Sequence, residues 1–409
     1  MSVWRGLVGQ EPLVDVLRPA VAASHRWLRG EPDAAMTHSW LLTGPPGSGR
    51  STAARALAGA LQCPAGGCGE CEACRQVLVG SHPDVTVVDT EGLSISVDDV
   101  RDLVLKAALT PTGGRWAVII VEDADRLTDQ AANAMLKSLE EPAARTVWLL
   151  CAPTSDDVMP TIRSRCRQLS LRTPPTTAVT AALEAEGVQP GLAAFAARAS
   201  QGHIGRARAL ARDEAVRTRR RDVLRLATHM GDPGDCVRAA ENLNAAAQEE
   251  SEAVAADLEQ RELAEHGEVW GSATRGVKPR GEQGALSELR KQQRSRRTRL
   301  LRDSTDRALL DLLSYYRDVL RLQAAGAAPA GRGVLDGARR AGELISEELI
   351  NEELINEELR PDLEAEAARS DPARTLRRIL ALMACREAIT LNVAPLLALE
   401  QAFLNLART

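Results

Sequence analysis

Residues 44–52 read Gly44-Pro45-Pro46-Gly47-Ser48-Gly49-Arg50-Ser51-Thr52 and lie between an apolar run at 38–43 and an Ala-rich stretch at 51–61. Glycines allow backbone N–H groups to turn toward a phosphate, and the N-terminus of the following helix adds its dipole. The stretch predicts a phosphate-binding loop, and a Gly/Pro turn without a ligand is the alternative. The candidate nucleotide-binding residues of the loop are Gly44, Gly47, Gly49, Arg50, Ser51 and Thr52.

One position of this loop departs from the common G-x-x-x-x-G-K-[ST] pattern. The pattern has Lys where this chain has Arg50. A guanidinium is a longer, planar fork that does not occupy the volume of an ammonium group. Binding of ATP and Mg²⁺ at this site therefore stays open, and hydrolysis of ATP there is not expected.

The surrounding pattern alternates strand-length apolar runs with amphipathic stretches, which predicts βαβ units around a buried parallel sheet. We predict an α/β domain in the first part of the chain. The predicted strands are Val85–Asp89, Ala117–Val121, Thr146–Cys151 and, more weakly, His38–Thr43. The predicted helices are Ser51–Leu61, Val97–Ala108 and Asp129–Leu139.

Two carboxylates follow the apolar strand predicted at 117–121. Glu122 and Asp123 occupy the place where P-loop ATPases hold Mg²⁺ and orient the attacking water. The usual order is Asp then Glu, and the inverted order displaces both carboxylates. Acidic residues also follow strands for structural reasons. The assignment of this pair to a nucleotide site therefore depends on its position after the phosphate loop.

Four of the eight cysteines lie close together, at Cys63, Cys68, Cys71 and Cys74, with glycines between them. Four thiolates at this spacing can close a tetrahedral sulfur shell, which suits a structural Zn²⁺ site in a reducing compartment. An iron–sulfur cluster and independent free cysteines are the alternatives. The other four cysteines are scattered, which is typical of small buried side chains.

Composition and charge limit the classes of protein. The chain has 409 residues, of which 44% are hydrophobic and 26% charged, and its formal net charge is −5. It is therefore an ordinary globular sequence of two or three domains, without a global positive field that would attract nucleic acid. No apolar run approaches the roughly 20 residues that span a bilayer, so we expect no membrane contact and a cytoplasmic location.

The pair Pro174-Pro175 predicts a domain boundary, because consecutive prolines fit neither a helix interior nor a central strand. We predict an α/β domain at 1–172, a small helical domain at 173–240 and a second helical domain at 241–409. The strongest helix predictions after the boundary are Arg307–Leu322 and Thr375–Leu406.

Three unusual segments lie in the helical part. Residues 247–300 are charged, which we interpret as a partly mobile insertion. Their basic cluster at 290–302 predicts a solvated helix face, with contact to duplex phosphates as the alternative. Residues 345–359 repeat a pentad of the type Ile-Asn-Glu-Glu-Leu, which indicates a duplicated surface helix or, alternatively, a recognition element.

Six features occur in an order that resembles one family, the AAA+ subunits of the bacterial DNA polymerase III clamp loader. The resemblance covers about residues 1–210, and the helical C-terminal part is similar only in general character. The features are Val8-Gly9-Gln10-Glu11, the phosphate loop, the cysteine module after its helix, Ser81-His82-Pro83-Asp84, the segment 133–142 and Ser164-Arg165-Cys166.

The resemblance implies a RecA-like AAA+ domain, a helical lid and an all-α collar. The motor subunit of this family has an intact phosphate loop and an Asp-Glu pair, so Arg50 and the order Glu122-Asp123 favour the delta-prime type. At 202–206 the motor subunit places an arginine where this chain has Gly205, with Arg206 one residue later.

The resemblance also implies a role for the chain. In the family the Ser-Arg-Cys motif supplies an arginine finger in trans, which here is Arg165; a surface ion pair is the alternative interpretation. The implied partners are motor and delta-type subunits in a ring, the sliding clamp, and primed DNA through the complex. A self-sufficient ATPase, whether the motor subunit or a branch-migration remodeller, and a structural adaptor that binds no nucleotide are the competing functions.

Overall fold

The computed structural model of the chain describes residues 2–31, 36–88, 94–113, 115–229, 232–269, 282–326 and 353–408. They form two compact units, Met1–Arg212 and Asp213–Thr409. The boundary between the units lies inside the segment 173–240 that the sequence assigns to a separate helical domain. The division into three domains stays a prediction.

The first unit contains a five-stranded parallel sheet with strand order β2-β3-β4-β1-β5. Its strands are β1 (Ser39–Thr43), β2 (Val85–Val88), β3 (Ala117–Val121), β4 (Thr146–Ala152) and β5 (Arg167–Ser170). The four predicted strands are confirmed, although Asp89 lies outside the described residues. Strand β5 was not predicted, because its sequence Arg-Gln-Leu-Ser carries one apolar residue and forms an exposed edge.

Both faces of this sheet are covered by helices. In β4, Val147 and Leu149 pack into one apolar cluster with helices α1 and α2, whereas Trp148 and Leu150 pack into another with α4 and α5. Alternate residues of a strand point to opposite faces, so a strand covered on both faces is apolar throughout. The helices are α1 (Glu11–Leu28), α2 (Arg50–Gln62), α3 (Glu72–Val79), α4 (Val97–Ala107), α5 (Asp129–Glu140) and α6 (Pro160–Arg163).

Three further helices complete the first unit: α7 (Thr176–Ala185), α8 (Pro190–Ser200) and α9 (Ile204–Arg212). The chain reverses between α8 and α9 through two residues with positive φ, Gln201 at 52° and Gly202 at 83°. A parallel sheet collects the carboxyl ends of its strands at one edge, where ligands of α/β proteins bind. The phosphate loop follows β1, and Glu122 follows β3, at this edge.

The second unit is entirely helical in its described part. A buried apolar cluster that includes Leu312, Tyr316, Leu382 and Phe403 forms its core. The predicted helix Thr375–Leu406 is two helices, because Asn392 adopts a φ of 70° between them. The helices are α10 (Glu214–His229), α11 (Pro233–Val269), α12 (Glu282–Gly326), α13 (Arg360–Arg369), α14 (Pro372–Thr390) and α15 (Pro395–Arg408). Among the described helices, none is long and apolar enough to cross a membrane.

The charged segment 247–300 is helical wherever the structure describes it, and residues 270–281 lie outside the described part. Helices α11 and α12 are joined there by ion pairs: Arg296 contacts Glu262 at 2.7 Å, and Nε of Arg297 donates to Glu259 at 2.7 Å. The interpretation as a partly mobile insertion stays a prediction, although the described residues of the segment form these paired helices. The apolar content of the segment is low because the contact between α11 and α12 is polar here. Arg296 and Arg297 of the basic cluster form part of that contact.

In the last copy of the pentad repeat only Glu357–Leu359 is helical, as a single 3-10 turn, and the residue before it is buried, which corrects the interpretation as a surface helix for this copy. Residues 345–352 lie outside the described part. Asn356 is fully buried, and its backbone N–H and side-chain amide donate to Asp318 at 2.8 and 2.9 Å. Arg220 joins this group from α10, donating to Asp311 at 3.1 Å, to Glu358 at 2.8 Å and to the Asn356 side chain. The repeat therefore ends in a buried polar network of the helical core.

Replacement of Arg220 by Ala tests this network. The change leaves the buried Asp311 carboxylate without its guanidinium partner, so we expect the free energy of unfolding to fall by about 3–5 kcal/mol. Arg225→Ala is the matched control, since Arg225 pairs on the surface of the same helix with Asp222, and we expect its loss to cost less than about 1 kcal/mol. Urea unfolding of the full chain measures both values. Equal values for the two variants would contradict the network.

Candidate functional site

The phosphate loop lies between β1 and α2 and is fixed at both ends. The N–H of Gly44 donates to the carbonyl of Pro153 at 3.0 Å, and Gln10 donates to the carbonyls of Ser48 and Arg172 at 3.3 and 2.6 Å. Gly49 has a φ of 97° and immediately precedes α2, a conformation that favours glycine. The loop thus has the shape of an anion-binding turn at a helix N-terminus, and Ser51 and Thr52 lie in the first turn of that helix.

The side chain of Arg50 bonds to its own loop. Its guanidinium Nη1 donates to the carbonyl of Gly44, the first residue of the loop. A lysine at this position of a P-loop reaches forward to the β- and γ-phosphates. Arg50 instead turns back onto the loop, so the cation that the predicted site needs is engaged inside the chain.

His203 covers the middle of the loop, and it lies in the segment 202–206 where the resemblance places an arginine of the motor subunit. A Cβ atom at Gly47 would lie 2.2 Å from Cγ of His203, and the N–H of Ile204 donates to the carbonyl of Gly47 at 3.4 Å. Gly47 itself has a φ of 81°. The start of helix α9 therefore packs directly against the phosphate loop of the same chain.

The predicted acidic pair lies close to the loop, and its first member is already paired. Oε1 of Glu122 accepts a hydrogen bond from Nη2 of Arg55 at 2.8 Å, from helix α2. Asp123 lies 3.9 Å from Arg126. Burial raises the pKa of Cys151 in β4 to about 12, with the nearby charge of Glu122 adding to the shift. The phosphate loop and the acidic pair, both predicted from the sequence, thus lie close together. Each of them is bonded to other groups of the same chain.

The four clustered cysteines form a compact sulfur group between α2 and α3. The ligand atoms of Cys63, Cys68, Cys71 and Cys74 all lie within 4.8 Å of one another. Sγ of Cys63 lies 3.6 Å from Sγ of Cys68 and 3.7 Å from Sγ of Cys71. Zn–S bonds of about 2.3 Å in a tetrahedron require sulfur–sulfur distances of about 3.8 Å.

The four thiols differ in their electrostatics: backbone hydrogen bonds lower the pKa of Cys63 and Cys68, whereas burial raises the pKa of Cys71 and Cys74. Burial opposes ionisation of the Cys63 thiol, but hydrogen bonds from the backbone N–H groups of Cys68, Gly67 and Ala65 outweigh it and lower its pKa to about 6. A thiolate is the form that binds zinc. The cluster therefore fits a structural zinc ion held by four sulfurs, with no ligand position left for water. The other four cysteines are buried and unpaired with one another, as predicted.

The Ser-Arg-Cys motif, Ser164–Cys166, lies between α6 and β5. Cys166 is buried, and burial raises the pKa of its thiol to about 12, so it packs and does not react. Arg165 is partly exposed, with 31% of its side chain accessible. Its Nε donates to Glu140 at 2.6 Å, and its Nη1 donates to the carbonyl of Thr161 at 2.8 Å. The surface ion pair of the alternative interpretation is therefore present, and the guanidinium lies at the surface of the first unit.

Comparison with known proteins identifies what the first unit is similar to. Residues 25–175 match the family model described as DNA polymerase III, delta subunit. The delta' subunit of DNA polymerase III from Pseudomonas aeruginosa is 44% identical over 137 residues, which are 32% of this chain and 42% of that protein. The gamma/tau subunit from Mycobacterium tuberculosis is 33% identical over 191 residues, which are 44% of this chain and 31% of that protein.

These sequence matches cover only part of this chain and part of each relative. The chain spans less than half the length of both relatives. Among solved structures, the Holliday junction branch migration motor RuvB of Thermotoga maritima is 20% identical, covers 53% of this chain and 63% of its own, and has a TM-score of 0.36.

Proposed function

We propose that this chain, a member of the DNA polymerase III clamp-loader family that is most like the delta-prime subunit in its first unit, is the stator of a replicative clamp loader. In this role it joins motor subunits in a ring and presents Arg165 to the ATP of a neighbouring subunit. The ring then opens a sliding clamp and leaves it on primed DNA. The chain itself forms no phosphodiester bond.

The state of Arg50 is the observation that carries this proposal. Its side chain bonds to the carbonyl of Gly44, inside the loop where a phosphate would bind. The carboxylate of Glu122 is paired with Arg55 at the same site. Because the Arg50 guanidinium and the Glu122 carboxylate are both bonded to groups of the chain itself, the site is poorly suited to ATP turnover. The chemistry of the chain is therefore assigned to Arg165.

Arg165 suits a role in another subunit's site because its guanidinium lies at the surface and is held by groups that leave it accessible. Phosphoryl transfer spreads negative charge over the γ-phosphate oxygens, and a guanidinium placed there stabilises that charge. A finger supplied in trans makes the neighbour's turnover depend on assembly of the ring.

Exposed apolar side chains on the C-terminal helices support assembly through the second unit. Leu380 and Met383 lie on α14, and Leu397 lies on α15; between 41% and 59% of each is accessible. Leu391, directly after α14, is 72% exposed. Exposed large apolar side chains also lie on α3, α4 and α11, so the C-terminal group is one of several candidate contact surfaces. We assign this surface to the helical collar of the ring.

The motor subunit is the second candidate, favoured by the 33% identity to gamma/tau. A motor binds and hydrolyses ATP in its own loop. A purely structural adaptor differs from both candidates because its assembly with motor subunits would leave their turnover independent of Arg165.

Titration calorimetry with Mg·ATP separates the stator from the motor subunit at the chain's own site. We expect little or no heat of binding for the isolated chain, because Arg50 bonds to the carbonyl of Gly44 and His203 packs against Gly47. Arg50→Lys restores the reach of a P-loop lysine, and any gain in affinity that it produces attributes the weak binding to the guanidinium. Tight binding of Mg·ATP by the natural chain, followed by phosphate release, would identify a motor subunit instead.

A further inference from the structure

The guanidinium of Arg165 is bonded to three residues of its own chain, Glu140, Thr161 and Ser164. Its Nε donates to Oε1 of Glu140 at 2.6 Å, and its Nη2 donates to the same oxygen. Its Nη1 donates to the carbonyl of Thr161 at 2.8 Å and to Oγ of Ser164 at 3.3 Å. An arginine side chain has five N–H donors, so these contacts use four of them.

Glu140 is well placed to exchange its partner. It is the last residue of helix α5, and 48% of its side chain is exposed. An ion pair this exposed contributes little to folding stability, so it can open without disturbing the fold. The γ-phosphate of ATP carries more negative charge than one carboxylate and offers several acceptor oxygens to a guanidinium. The two anions would therefore compete for the same N–H groups of Arg165.

We propose that Glu140 is a positioning residue that keeps Arg165 retracted against Thr161 until a neighbouring subunit's γ-phosphate displaces it. This inference rests on the proposed function, and it adds a regulatory element to it. The pair lowers ATP turnover in the resting ring and is open when the ring engages primed DNA. Opening the pair frees Nε and Nη2, and movement of the guanidinium toward the neighbour also breaks its hydrogen bonds to Thr161 and Ser164.

Glu140→Gln tests the inference in the assembled loader. The change removes the competing charge and keeps the size of the side chain. We expect ATP turnover without DNA to rise about two- to fivefold, because that factor corresponds to the free energy that an exposed ion pair contributes. The DNA-stimulated rate should stay at its natural value. Glu141→Gln is the matched control: it removes one negative charge from the adjacent exposed residue, and we expect it to change neither rate.

The same assay separates this inference from the proposed function. Adding Arg165→Ala to Glu140→Gln is expected to abolish the gain, because Glu140 acts only through Arg165. A gain that persists in this double variant, an unchanged resting rate, or a lower stimulated rate in Glu140→Gln would overturn the inference and leave the finger intact. If Arg165→Ala alone leaves the stimulated rate unchanged, the proposed function fails, and the inference fails with it.

Discussion

Arg165→Ala is expected to lower the DNA-stimulated ATP turnover of the assembled loader by on the order of 10³ at the adjoining site, the low end of the range for arginine fingers. The loss arises because the charge that develops on the transferring phosphoryl group loses its guanidinium. Folding should be unaffected, since Arg165 is partly exposed and its ion pair with Glu140 lies at the surface. Turnover per ring, measured by phosphate release with and without primed DNA, provides the test.

Arg163→Ala is the matched control for this experiment. Arg163 precedes Arg165 by two residues, has a similar exposure of 33%, and pairs with Asp156 on the same surface. We expect rings that contain this variant to keep their stimulated turnover. Light scattering shows whether both variants assemble. Intact rings that lose no turnover with Arg165→Ala would remove the finger assignment and favour the structural adaptor.

The second large effect concerns the four-cysteine module. Elemental analysis of the purified chain is expected to find one zinc per chain, and replacement of Cys68 and Cys71 together by Ser should abolish it. Zinc binding at such sites provides about 10–16 kcal/mol, so its loss should unfold the module. The N-terminus should be released as well, because the N–H of Val3 donates to the carbonyl of Gly67 within the module at 3.1 Å.

Cys236→Ser is the control for the zinc experiment. Cys236 is a buried free cysteine of the second unit, remote in sequence from the module, so we expect its replacement to leave the zinc content unchanged. Metal content and thermal unfolding should be measured on the same samples. A folded natural chain without metal, or iron in place of zinc, would contradict the assignment.

Much of the first unit could be predicted because its signals are local. The strands β3 and β4 are continuous apolar runs, a pattern typical of strands in a sheet that is covered on both faces. The structure confirms both strands. The cysteine cluster was predicted from spacing alone, since short loops with glycines leave the four sulfurs little freedom to separate. In these cases the residues that interact are close in sequence.

The features that sequence analysis missed depend on contacts between distant residues. Glu140 and Arg165 are 25 residues apart, and nothing in either local pattern indicates that they meet. His203 lies far along the chain from Gly47, which it covers. The helical pairing of residues 247–269 with 282–300 depends on ion pairs between the helices, such as Arg296 with Glu262, while the charge content alone suggested an insertion.

Phosphate release by the chain alone, compared with release after motor subunits are added in stoichiometric amounts, tests the central claim most directly. That claim is that the chain's chemistry is exerted on ATP bound to a neighbour. We predict no turnover by the chain alone, and turnover by the mixture that exceeds that of the motor subunits alone and that requires Arg165. Turnover by the isolated chain that is insensitive to Arg165→Ala would contradict the account.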